Sequence, residues 1–342
     1  MTDSYYYNAI ALAYDGDYVK IARAKKGRAS WLDAWNAHKE LHNINPEQAW
    51  GELQKHSITV YMRESSEFPA LLNEIHHTPF ALYIKGALPK QHALAIVGTR
   101  KATASGRATA EQFAESLAGA GWCITSGLAL GIDGAAHTGA LKAKGATVAV
   151  LACGLDTVYP SEHTALAKRI VAEGGALVSE YPIQSPSYPA RFLERNRIVS
   201  GLSLGALIIE APERSGSIAT ATFALEQNRD VFVIPGPIGH PNFSGSHALI
   251  KAGAALVTTA LDIRAAYGEN IAEPQKNDAI INELPPEERQ VYEALAAIGG
   301  RANVDKLSET ANLPSYVVSR AATFMQLKGI IKECDGQYEI SG

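Results

Sequence analysis

Cysteine is scarce: Cys123, Cys153 and Cys334 are the three in 342 residues, and they stand far apart with no CxxC pair. This excludes a disulfide framework and gives a zinc site no support. Cys123 and Cys153 fall inside apolar runs and read as buried thiols. No apolar run approaches the roughly 20 residues needed to cross a bilayer, and the opening MTDSYYYNAI lacks the basic and apolar regions of a signal peptide. A cytoplasmic protein without a membrane partner is expected. Positive charge is not in excess either, with Lys+Arg 31 against Asp+Glu 35 and a net charge of -4. A broad basic coat is excluded, so any contact with nucleic acid must be local. GxSxG, HExxH and the Walker pattern GxxxxGK[ST] are absent, and no metal or cofactor is implied.

What the sequence does have, from Leu94 onward, is a rhythm. Short apolar runs (LAIVG, WCITSG, TVAVLACG, ALVSE, GALIIEA, DVFVIPG) alternate with amphipathic segments. That alternation predicts an α/β fold with a doubly wound, mostly parallel sheet whose strands are buried on both faces. The strands end in glycine or polar turns (GTR, SGLALGID, CGLD, SEYP, EAPERSGS, PGPIGH), and such turns converge on one rim where ligands bind. Ahead of the sheet, SWLDAWNAHKELHNI and PEQAWGELQKH carry apolar residues at helical spacing, which predicts a small helical domain with a lead-in over residues 1–85. The sheet domain is placed at 86–265 and a polar, proline-containing linker at 266–284. Residues 285–342 read as three helices and a hairpin turning at Asp335-Gly336, the pattern of a winged helix. From Ile271 onward that end carries seven basic against eleven acidic residues, and its recognition helix offers only Arg320 and Lys328. Protein contact or regulation therefore fits this unit better than tracking of DNA phosphates.

The loop after the first strand, GTRKATASGR, lacks the GxGxxG fingerprint, with Arg100 at the second glycine position. It reads as an anion-binding loop that does not hold a dinucleotide.

Seven motifs in one order, IVGTRKAT (96–103), SGLALGIDGAAH (126–137), CGLD with YP (153–160), SEYP (179–182), FLERNRIVSGLS (192–203), EAPERSGSIATA (210–221) and VIPGPIG with GSHALIKAGA (233–254), resemble the DNA-processing protein A family, also called DprA or Smf. The resemblance covers about Phe68 to Val257. It implies an extended Rossmann-like domain that binds single-stranded DNA, forms a homodimer and loads the RecA recombinase during natural transformation. It also implies a SAM-like helical N-terminal domain and a C-terminal winged helix. The chain departs from the family's pattern after the YP turn, where Ser161 and Glu162 stand in place of a basic residue.

The candidate contacts to DNA phosphate lie on this rim. Arg100, with Thr99 before it as a further contact, can fork onto a phosphate while Gly98 leaves the adjacent N–H groups open; the plainer alternative is an arginine salt-bridged within the fold. Lys101 and Arg107 stand at the helix start, as phosphate contacts or as solvated cations. Arg191, Arg195 and Arg197, with Phe192 between them, give the mix of charge and stacking that single-strand binders use, while the alternative is a surface helix on which Asn196 fixes the loop. Ser126 and Gly127, in a tight turn with the scaffold residue Gly131, are further candidate phosphate contacts, and Asp133 and His137, four apart, can hydrogen-bond each other as scaffold or, in the alternative, act as acid and base. Ser215, Gly216 and Ser217 precede a helix and form a second anion site, with Glu210 and Thr220 as rim scaffold and Lys251 as added charge.

This last loop distantly resembles the PGGxGTxxE loop of lysine-decarboxylase-like phosphoribohydrolases. Phe223 occupies the place of that motif's glutamate, and Glu226 lies a turn further on. A nucleotide-binding enzyme or sensor is the rival reading, and a binder without catalytic residues is the expected one.

Overall fold

Alternation along single strands sets the architecture. In β5 (Thr147–Leu151), Val148 and Val150 pack against one apolar cluster while Ala149 and Leu151 pack against another on the opposite side. A strand buried on both faces needs helices on both faces, and the chain supplies them. The structure is a computed structural model describing residues 3–38, 41, 43–269, 284–334 and 336–340, and two compact units divide the chain, Met1–Arg264 and Ala265–Gly342.

The larger unit begins with helices α1 (Asp3–Ala13), α2 (Tyr18–Lys25), α3 (Trp31–Ala37) and α4 (Pro46–Lys55), followed by strands β1 (Ile58–Met62) and β2 (Ala81–Gly86). A doubly wound run follows: β3 (Ala93–Val97), α5 (Ala104–Gly119), β4 (Cys123–Ser126), α6 (Ile132–Lys142), β5, α7 (Thr164–Ala172), β6 (Ala176–Ser179), α8 (Pro189–Gly201), β7 (Gly205–Ile208), α9 (Gly216–Glu226), β8 (Asp230–Val233), α10 (Ser244–Lys251), β9 (Ala255–Leu256) and α11 (Ala260–Ala266). The described strands form one sheet in the order β1-β2-β6-β5-β4-β3-β7-β8-β9. From β6 to β9 all pairs are parallel, while β1 with β2 and β2 with β6 are antiparallel. The parallel sheet expected from the sequence is therefore present. Strands β1 and β2, in a stretch grouped by sequence with the N-terminal helices, pair into that sheet.

Those helices also share its core. Tyr7, Ile10 and Trp31 pack in one buried cluster with Tyr83, Leu151 and Leu177. Tyr7 meets Trp31 edge-on at 4.9 Å, and the buried Tyr83 hydroxyl donates to Asn8 Oδ1 at 2.9 Å. Ser30 and Asp33 form a reciprocal capping box that starts α3. Cys123 and Cys153 are buried, and Cys334 is half-buried.

The smaller unit holds α12 (Pro286–Ala297), α13 (Val304–Ala311) and α14 (Ser315–Leu327) with a three-stranded antiparallel sheet of β10 (Arg301–Ala302), β11 (Ile331–Cys334) and β12 (Gln337–Ile340). Val291, Leu295, Leu307, Val318 and Met325 form its core. Three helices and a hairpin are the winged-helix pattern. Asp335 of the hairpin turn and residues 270–283 of the 266–284 linker lie outside the described residues. Arg320 of α14 and Lys328 at its C-cap are both ion-paired inside the unit, Arg320 with Glu287 at 2.5 Å and Lys328 with Glu288 at 2.7 Å.

No helix among the described residues is long and apolar enough to cross a membrane.

Candidate functional site

Strand order reverses between β3 and β7, and in an open α/β sheet the crevice beyond that reversal is where ligands sit. A cleft of about 630 Å³ lies there. It is lined from four loops: Gly98, Thr99 and Arg100 after β3; Gly127 and Ala129 after β4; Tyr159 after β5; and Pro212, Arg214, Ser215, Gly216 and Ser217 after β7. One face of α8 closes it with Phe192, Leu193, Arg195 and Asn196.

The floor is built by close backbone approach. A Cβ at Gly98 would stand 2.5 Å from Ile132 Cγ1, and one at Gly131, whose φ is +84°, would stand 2.4 Å from the Thr99 carbonyl oxygen. Both positions therefore need glycine. Gly127 is held the same way, because a Cβ there would meet the Arg195 guanidinium at 2.5 Å. Arg195 is buried and donates from Nη1 to Gly127 O at 2.6 Å and to Val150 O. Its guanidinium is thus a strut joining two strand ends to α8, although it also lines the cleft. Burial pulls its pKa down, and the nearby Asp133 carboxylate pushes the other way.

Asp133 and His137 do not bond to each other. Asp133 Oδ2 accepts from the N–H groups of Gly127 at 3.1 Å and Ala129 at 3.3 Å, tying down the turn. Burial raises the Asp133 pKa, opposed by the Arg195 charge and by these hydrogen bonds. His137 is fully buried beneath the floor. Its Nδ1–H donates at 2.7 Å to Thr147 Oγ1, whose own hydrogen goes to Ile124 O. Burial drives the imidazole pKa down to about 3, so it stays neutral. Ser126 Oγ is also inward, donating to Ile96 O at 2.6 Å. Each of these three is scaffold, so Ser126, expected as a phosphate contact, is instead turned into the fold by its bond to Ile96.

Glu210 ties the rim together. Its carboxylate accepts from Thr103 N at 3.1 Å, from Thr103 Oγ1, and from Asn242 Nδ2 at 2.8 Å, while its backbone oxygen accepts from Thr99 N at 2.8 Å. Glu210→Ala leaves the Thr103 and Asn242 donors without the carboxylate and is expected to cost about 2–3 kcal/mol of stability, read as a lower urea midpoint with an unchanged slope. An unchanged midpoint would contradict this role.

At the mouth, Arg100 is exposed, its guanidinium 4.8 Å from the centre of the Phe192 ring. Tyr159 lies 5.4 Å from the same ring and is 48% exposed. Arg100 makes no ion pair among the described residues, so the salt-bridged alternative is not met. Arg214 adds a second exposed cation across the cleft. Gly216 begins α9; its carbonyl accepts from Asn196 Nδ2 at 3.1 Å and from Thr220 Oγ1 at 3.3 Å, and the Ser215 and Ser217 hydroxyls bond each other at 2.8 Å.

Helix α8 separates the arginines that the sequence groups together. Arg191 and Arg197 face away from the cleft: Arg191 donates to Pro186 O at 2.6 Å and pairs with the Asp15 carboxylate at 2.9 Å, and Arg197 forms a buried pair with Glu180. Lys101, Arg107 and Lys251 do not line the cleft either; the Arg107 guanidinium donates to Ala102 O at 2.6 Å, and Lys251 ends α10. Phe223 and Glu226, weighed as remnants of a hydrolase loop, are likewise absent from its lining. Tyr159 and Arg214 were missed as site residues, although both lie inside motifs, the YP turn and ERSGS, that marked the rim.

Residues 59–268 match the family model described as DNA recombination-mediator protein A. The chain is 39% identical to Protein Smf of Escherichia coli over 86% of this chain and 80% of that protein. It is 41% identical to DNA processing protein DprA of Bacillus subtilis over 58% of this chain and 68% of that one. Among solved structures, DNA processing protein A of Streptococcus pneumoniae superposes with a TM-score of 0.64 at 33% identity, covering 77% of this chain and 93% of that one. The Helicobacter pylori protein, described for its single-stranded DNA binding mode, superposes with a TM-score of 0.55 at 26% identity, covering 62% of this chain and 96% of that one. With a family model spanning more than half of its length and a relative matched along most of both chains, this chain belongs to the DNA recombination-mediator protein A family.

Proposed function

We propose that the chain binds single-stranded DNA in the cleft at the strand-order reversal and, as a homodimer, loads RecA onto it in the cytoplasm during natural transformation, without catalysing a reaction of its own. The observation that carries the reading is the Arg100–Phe192–Tyr159 cluster at the mouth: an exposed guanidinium on an aromatic pair supplies phosphate contact and base stacking together. Open backbone amides at the start of α9 and the exposed Arg214 extend the anion-binding surface. The chain's acidic balance makes single-site affinity modest, and a dimer that places two clefts on one strand raises it through avidity.

The hydrolase reading lacks its chemistry. Among the described lining residues Asp133 is the sole carboxylate, and it is committed to two backbone amides beneath the turn. Glu226→Ala and His137→Ala variants, tested across the common nucleoside monophosphates, are expected to show no turnover to lose.

The direct test is anisotropy of labelled oligo-dT and matched duplex over a salt series. Preference for the single strand is expected, with log affinity falling by about 0.7 per neutralised phosphate for each log unit of salt. Equal affinity for both DNAs, or none for either, would sink the proposal.

A further inference from the structure

Behind α8 lies a second cleft, of about 590 Å³, lined by Asp17, Tyr18 and Val19 from the start of α2, by His77, by Glu180, Tyr181 and Tyr188, by Ala190, Arg191, Glu194 and Arg197 of α8, and by Phe223. Helical geometry explains the division: Pro189, Phe192, Leu193 and Asn196 fall on the face of α8 toward the first cleft, whereas Ala190, Glu194 and Arg197 fall roughly a third of a turn around the helix, toward the second. The two clefts are separated by a single turn of chain, since Ser187 and Pro189 line one and Tyr188 and Ala190 line the other.

The second cleft is rich in rings and its cations are already answered. Arg191 lies over the faces of both Tyr181, at 4.4 Å, and Tyr188, at 5.0 Å, and its charge meets Asp15. Arg197 is matched by Glu180, and the Glu194 carboxylate accepts from the Tyr181 hydroxyl at 2.8 Å. Asp17 caps α2 and pairs with Lys20 at 3.7 Å. A phosphate therefore finds no uncompensated cation here, and a cationic side chain would be repelled by the Arg191 guanidinium already stacked beside the rings. A flat, uncharged ring meets neither objection. Tyr188 is 49% exposed and Val19 is 56% exposed, which leaves apolar walls open to solvent beside a cation–π stack.

We propose that this second cleft receives an unstacked nucleobase of the same strand whose phosphates lie in the first cleft, the strand crossing the Ser187–Ala190 turn. The assignment rests on the single-stranded DNA reading and adds to it a base subsite that carries no phosphate contact.

The test compares labelled oligo-dT with an abasic oligonucleotide of equal length on the full chain. Val19→Trp fills the cleft from its exposed α2 wall, and Tyr188→Ala removes the stacking ring. Both variants are expected to weaken oligo-dT about tenfold, within the range for loss of one stacked base, and to leave abasic binding unchanged. Arg100→Ala should weaken both ligands alike. Oligo-dT binding that both variants leave at the wild-type level overturns the base subsite. Equal weakening of both oligonucleotides by Val19→Trp and Tyr188→Ala also overturns it. If Arg100→Ala changes neither ligand, the phosphate assignment of the first cleft fails separately.

Discussion

Arg100→Ala is expected to weaken single-stranded DNA binding roughly 10- to 100-fold at low salt, the loss of one charge-assisted, forked contact to phosphate. The salt slope should flatten by about 0.7 at the same time, because one fewer counterion is released. Arg100 is solvent-exposed and its described contact is the face of Phe192, so its removal leaves the fold intact and the loss is read on binding alone. Anisotropy titrations of wild type and variant at matched salt, with unfolding midpoints measured in parallel, give the answer. Wild-type affinity at every salt concentration would remove Arg100 from the site.

The second large effect is on stability. Arg195→Met keeps the volume but orphans the carbonyls of Gly127 and Val150 and leaves the buried Asp133 without its neighbouring positive charge. Breaking such a buried arrangement from one side is expected to cost about 3–5 kcal/mol. The deficit should depend on pH. Burial already raises the Asp133 pKa in the folded protein, and without Arg195 it rises further. A carboxyl whose folded pKa exceeds its unfolded value contributes stability below the unfolded pKa and loses it as pH rises through the folded one. The variant should therefore lag wild type more at about pH 8 than at about pH 5, and adding Asp133→Asn should recover part of the loss. Urea midpoints at the two pH values decide it; a deficit independent of pH would detach Asp133 from the effect.

Much of this was readable because burial on both faces leaves a plain signature. LAIVG, TVAVL and GALII can be strands in a sandwiched sheet with little ambiguity, and the turns that follow them fall on the ligand rim by topology alone. Facing is harder to read. RFLERNR looks like one cationic cluster in one dimension, yet α8 divides it between two clefts, and Arg191, Arg195 and Arg197 are all buried against acceptors from distant parts of the chain. Those acceptors, Asp15, Val150 and Glu180, have no sequence proximity that would announce them. The contact between Tyr159 and Phe192 is of the same kind, made by a fold that brings the loop after β5 to the start of α8. ITVYM was missed as a sheet strand for another reason: it sits at the margin, half-solvated, and lacks the unbroken apolar run of the interior strands.

The antiparallel pairing of β2 with β6 bears on how this protein can be modular. A fragment beginning at residue 86 would keep the rim's loops but would present β6 as a bare edge and uncover the aromatic bed beneath Tyr7 and Trp31. Unpaired edges invite pairing with other chains. Strand β2 is what seals that edge, while the N-terminal helices cover the aromatic face beside it. The helices are therefore less a cassette that recombination could exchange freely than a lid on one face of the sheet, and a lineage that discards them must cover that face anew.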